Sequence, residues 1–143
     1  HITFNAMMIL VVAPWIERRS GPHAMLLVFL LCGMVAAVVQ CAVRDKGTCG
    51  ASGGATALMG WASVMVLSPT PLMTRLRLST AQFTWRLTLV GVTVGGAWMS
   101  IRGLAAPSPS GDIAHLVGIL IGVAAAVSTV MATRLAQKRR LSA

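Results

Sequence analysis

The stretch GASGGATALMG, residues 50–60, sets Ser52 among small residues and then runs on into an apolar segment. A serine in a membrane helix often does no more than bond back to the carbonyl one turn earlier. Whether Ser52 does more depends on which residues the rest of the chain brings to its level.

Composition places the chain in a bilayer. Of 143 residues, 56% are hydrophobic, and Lys, Arg, Asp and Glu together make up only 10%, far below the quarter usual for a soluble domain. The net charge of +9 could point to nucleic acid. However, the basic residues lie between apolar runs and in the tail without interleaved aromatics, so nucleic acid is not an expected partner. Cys32, Cys41 and Cys49 form no CxxC or His-paired spacing, and neither a metal nor another cofactor is expected. Cys41 and Cys49 flank one short loop and would be free to pair in an oxidising compartment. The first apolar run lacks a basic n-region, so no cleavable signal peptide is expected. The chain opens on His1 rather than Met, and residues ahead of it are expected.

Five apolar segments follow one another, at about 2–16, 24–43, 51–67, 83–101 and 113–133. They are separated by the turn-forming stretches ERRSGP, RDKGTCG, SPTP and APSPSGD. Period-2 alternation is absent, which argues against a β-barrel. The expected fold is an all-α polytopic transmembrane bundle over residues 1–133, with a basic tail at 134–143. Small residues recur at four-residue spacing: Gly50 and Gly54, Gly91 and Gly95, Gly118 and Gly122. That spacing lets helix backbones approach closely, and for Gly91 and Gly95 packing alone is expected.

Arginine and lysine counting sets the orientation. Arg18, Arg19, Arg75, Arg77, Arg86, Arg134, Lys138, Arg139 and Arg140 fall on one side, against Arg44, Lys46 and Arg102 on the other. The tail is therefore expected in the cytoplasm and His1 outside, in a multi-pass protein of the cell membrane if the source is prokaryotic.

Polar residues inside membrane segments are costly and need a reason. The three odd-numbered segments descend from the outer face, and each carries polar groups near that end. Segment one has His1 and Asn5, four apart and so on one helix face. Segment three has Ser52 and segment five has His115, each in its first turn. The even-numbered segments are read as lacking comparable groups at that depth. Taken singly, each residue has a plain account: back-bonding for Ser52, pairing with Asp112 for His115, an interhelical bond for Asn5, a chain boundary for His1. Their common depth favours chemistry. A serine hydroxyl is a poor nucleophile until a base takes its proton. First-turn amides at Ser52, with His1 and Asn5, would offer donors to an oxyanion. A transporter or channel subunit would instead spread polar residues along a path through the membrane.

These residues resemble the rhomboid intramembrane serine proteases. HITFN resembles the family's HxxxN, and IERRSG its ExxxG, here Glu17 and Gly21. GASGG followed by ALMG resembles the nucleophile helix, and AHLVGILIG the base helix with its AHxxGxxxG pattern. The resemblance covers nearly the whole chain, from the family's second core helix to its sixth, so a further helix ahead of His1 is expected. It implies Ser52 as nucleophile, His115 as general base, and His1 and Asn5 as oxyanion donors. Gly118 and Gly122 would let the base helix approach the nucleophile helix. No cofactor is implied, and a Ser–His dyad does not need Asp112. The implied substrates are membrane-anchored proteins cleaved in a transmembrane segment. One departure stands out: the position four after the nucleophile, commonly aromatic in the family, is Thr56. A catalytically inactive rhomboid-like protein that binds membrane clients is the alternative reading.

Overall fold

The computed structural model describes residues 2–44, 51–68, 80–105 and 112–142. His1, Cys49, Gly50, Arg75 and Arg77 lie outside the described residues. The apolar runs fold as helices: α1 (Ile2–Ser20), α2 (Pro22–Leu27), α3 (Gly33–Arg44), α4 (Ser52–Leu67), α5 (Thr80–Leu104) and α6 (Asp112–Ser142). A single π-helical turn, Val28–Cys32, joins α2 to α3, and Pro22–Val43 reads as one span.

The first reversal shows local chemistry at work. The Gly21 N–H donates to the Glu17 carbonyl at 2.8 Å, closing α1. Gly21 then turns the chain with φ at 86°, a left-handed value that costs a residue with a Cβ. Pro22 follows at the start of α2, where its missing N–H has no intrahelical acceptor to lose.

Two expected boundaries move. The last helix, expected to end at 133, continues through the basic tail to Ser142; Leu135, Ala136, Gln137 and Lys138 are all strong helix formers. Likewise α1 runs past Ile16 through Glu17, Arg18 and Arg19 to Ser20.

Helix α4 is the centre. It buries 13 of its 16 residues, so it has no solvent face and no lipid face. Its Leu58, Trp61, Ala62, Met65 and Val66 meet Val12, Ala13 and Ile16 of α1, Leu89 of α5 and Ala126 of α6. The other helices turn large apolar side chains outward, among them Leu10, Met34, Val38, Trp98 and Met131. Such an exterior is unstable in water and suited to hydrocarbon. Among the described residues, three helical stretches are long and apolar enough to cross a bilayer: Pro22–Val43, Phe83–Leu104 and Asp112–Arg139. With 16 residues, α4 is only about 24 Å long at 1.5 Å per residue. That is shorter than the ~30 Å hydrocarbon core.

Glycines set how closely the bundle closes. A Cβ at Gly118 would strike the Gly53 carbonyl and the Thr56 hydroxyl, and one at Gly122 the Ala57 carbonyl. Gly60 stands in the same relation to the Ile119 carbonyl. Hence α4 and α6 run parallel with backbone against backbone. On the other side of α4, Gly54 faces the Phe29 carbonyl and ring. Gly91 and Gly95 differ from the sequence reading: among the described residues nothing lies within 4 Å of a Cβ built on either, so they take no part in packing among those residues.

The register makes two chemically distinct ends. Asn5, Ser52 and His115 share one, with the Asp112 carboxylate over Gly103. Arg19 marks the other, where it donates to the Ser68 carbonyl at 3.2 Å.

Candidate active site

Ser52 is the first residue of α4 and is 4% exposed. Its N-cap is Ala51, which offers no side-chain acceptor. The amides of Ser52, Gly53 and Gly54 therefore have no intrahelical acceptor, and the helix dipole adds a positive partial charge there. Two small residues after Ser52 let α3 and α6 close on this turn. A Cβ at Gly53 would be 2.9 Å from the Ala36 Cβ and 3.7 Å from the Ala114 carbonyl oxygen. The turn that begins α4 thus lies beside the residue that precedes His115.

His115 is half-buried in the first turn of α6, with Asp112 as an electrostatic neighbour. A cavity of about 330 Å³ opens beside it, lined by Asn5, Thr56, Asp112 and Ser100 among polar residues. Met59, Val92, Met99 and Ile119 form its apolar wall. The site residues read from the sequence are therefore partly gathered. Asn5 and His115 share the cavity, whereas Ser52 does not line it. The link to Ser52 runs through Thr56, whose hydroxyl lies 2.9 Å from the Ser52 carbonyl and 3.0 Å from that of Gly53. A hydroxyl in that position bonds its own helix and leaves the cavity beside the imidazole open, where a large ring would fill it.

Two polar groups were missed in the sequence, and both sit on the even-numbered segments read as bare at this depth. Gln40 of α3 is 3% exposed, and its Oε1 accepts a hydrogen bond from the Ala114 N–H at 3.0 Å. It supplies the first turn of α6 with an acceptor that the helix itself cannot. Ser100 of α5 is buried and lines the cavity. The signal for Gln40 was present, as a lone amide inside the apolar run VVQCAV. Among the described residues no group of three or more His, Cys, Asp and Glu side chains gathers to hold a metal.

A buried central helix, an apolar exterior and membrane-length helices around it define a polytopic α-helical membrane protein. The Rhomboid domain family model matches residues 1–132, and the chain belongs to the rhomboid family. That family is one of intramembrane proteases and also contains inactive homologues. No curated protein and no solved structure matches the chain.

Proposed function

We propose that the chain is a serine endopeptidase that cleaves transmembrane segments of membrane-anchored proteins, with Ser52 and His115 as its dyad. The observation that carries this reading is the contact of Gly118 with Gly53 and Thr56. It holds the first turns of two parallel helices side by side, one beginning with Ser52 and the other carrying His115.

Chemistry follows from these groups. The His115 imidazole takes the Ser52 hydroxyl proton as Oγ attacks the scissile carbonyl carbon. The carbonyl oxygen becomes an oxyanion facing the Ser52 amide, the Asn5 side chain and His1. Collapse breaks the C–N bond, and His115 gives its proton to the departing amine. Water, deprotonated by the same imidazole, then hydrolyses the Ser52 ester and restores the hydroxyl. No cofactor takes part. The scissile segment must leave its helix first, because a helical backbone keeps its carbonyls hydrogen-bonded. The count of basic residues favours an active site near the outer face and a cytoplasmic C-terminus.

A second reading, a client-binding protein without catalysis, is favoured by the burial of Ser52 outside the cavity. Cleavage of a transmembrane reporter by the purified full chain separates the two. The protease reading predicts cleavage that Ser52→Ala and His115→Ala each abolish, with the double variant scarcely worse because the pair acts as a unit. Reporter binding without cleavage, unchanged by either substitution, establishes the second reading.

A further inference from the structure

A second cavity, of about 540 Å³, lies between α1, α2, α4 and α6 at the end of the bundle opposite Ser52. Its size falls within the roughly 300–1,000 Å³ of small-molecule sites. Two arginines from different helices, Arg19 of α1 and Arg134 of α6, reach it. Leu27, Val28, Met65 and Val130 form its apolar wall.

The polar groups discriminate between occupants. The Thr129 and Thr133 hydroxyls donate to the carbonyls of Ala125 and Thr129. The Ser68 hydroxyl donates likewise to Val64. Those protons are spent inside their own helices. Donation to a ligand is left to the two guanidinium groups, to Ser20 and Gln137, and to the buried Trp61 indole N–H, which has no acceptor among the described residues. Arg19 is held in place by the Trp15 ring, 5.5 Å from its guanidinium carbon, and by one bond to the Ser68 carbonyl. Its planar fork carries five N–H donors in all. Burial, and to a smaller degree the charge of Arg86, lower its pKa. An anion between the two arginines would favour the charged form again, which a neutral or cationic ligand would not.

The cavity also meets the lipid-facing surface. Leu27 lines it while remaining 55% exposed, and Leu30, Leu31 and Met34 continue the outward apolar face. An occupant thus has an anionic part between two arginines and an apolar part that extends into the bilayer.

We propose that this cavity binds an anionic phospholipid, its phosphate between Arg19 and Arg134 and an acyl chain along Leu27 and the outward face of the same helix. Basic pockets between transmembrane helices hold lipid headgroups by this chemistry. The site is distinct from the cavity beside His115 and does not depend on whether the chain cleaves anything.

The test is native mass spectrometry of the full chain in a neutral detergent, titrated separately with phosphatidylglycerol, phosphatidylcholine and inorganic phosphate. The expected result is one tightly retained phosphatidylglycerol, with phosphatidylcholine stripped under the same conditions and phosphate unable to compete. Arg19→Gln and Arg134→Gln should each weaken that binding roughly fivefold, and the pair about thirtyfold. Lys138→Gln with Arg139→Gln removes the same charge outside the cavity and should leave it unchanged. Should Arg19→Gln fail to fold, Arg134→Gln, an exposed residue on α6, decides alone. Equal retention of the two lipids, displacement by phosphate, or full retention in Arg134→Gln would each overturn the proposal.

Discussion

The Oε1 of Gln40 lies 3.0 Å from the backbone nitrogen of Ala114 and accepts its hydrogen bond. One buried amide on α3 therefore fixes the start of α6, one residue before His115. Gln40→Leu leaves that N–H without its acceptor in a buried setting, at a cost of about 1–3 kcal/mol. Thermal unfolding in detergent should show the loss, and an unchanged midpoint would assign the start of α6 to other contacts.

The glycines divide into two groups with opposite predicted responses. Gly118→Ala and Gly122→Ala push a Cβ into backbone carbonyls of α4, which cannot swing aside as a side chain can. Each should destabilise by at least the ~1–3 kcal/mol typical of overpacking. Gly91→Ala and Gly95→Ala meet nothing within 4 Å among the described residues and should stabilise by up to about 1 kcal/mol through helix propensity. Chemical unfolding of the four variants side by side tests this, and a common response would contradict the α4–α6 contact.

Gly21 is a third case. Among the described residues nothing lies within 4 Å of a Cβ built there, yet its φ is 86° and its ψ 158°. Gly21→Ala should therefore cost about 1–3 kcal/mol from backbone strain alone. Gly21→Asn should cost as much, since this pairing of positive φ with extended ψ lies outside the left-handed helical region that Asn tolerates. A wild-type unfolding midpoint for either variant would refute strain as the cause.

The helical bundle was legible in the sequence because each apolar run is bounded by Gly, Pro or Ser turn chemistry. The central place of α4 was not read, although the density of Gly and Ala in residues 50–60 was there to suggest it. What escaped was orientation about helix axes. Gly91 and Gly95 share the spacing of Gly118 and Gly122 yet face open space, since spacing defines a stripe without saying what lies opposite. Gln40 and Ser100 were hidden for the same reason: their depth was countable, but the face they occupy was not. The helical turns after residue 133 were not foreseen because hydropathy marks where lipid ends and not where a helix does. Asn5 and His115, expected on one level, both line the cavity. The burial of Ser52 depends on how closely α3 and α6 approach, which no single segment encodes.

Asn5 is 8% exposed and lines the cavity with His115. If it donates to the oxyanion, Asn5→Ala should lower kcat about 10²-fold with a smaller change in KM. Steady-state cleavage of a transmembrane reporter measures both, and an unchanged kcat would leave Asn5 a packing role.

The dyad itself is tested most directly by labelling with a fluorophosphonate, which reacts only with an activated serine. The account predicts that the purified full chain is labelled at Ser52, that Ser52→Ala is not labelled, and that His115→Ala is labelled far more slowly because the hydroxyl has lost its base. Labelling of His115→Ala at the wild-type rate, or an unlabelled wild type that still cleaves a transmembrane reporter, would contradict it.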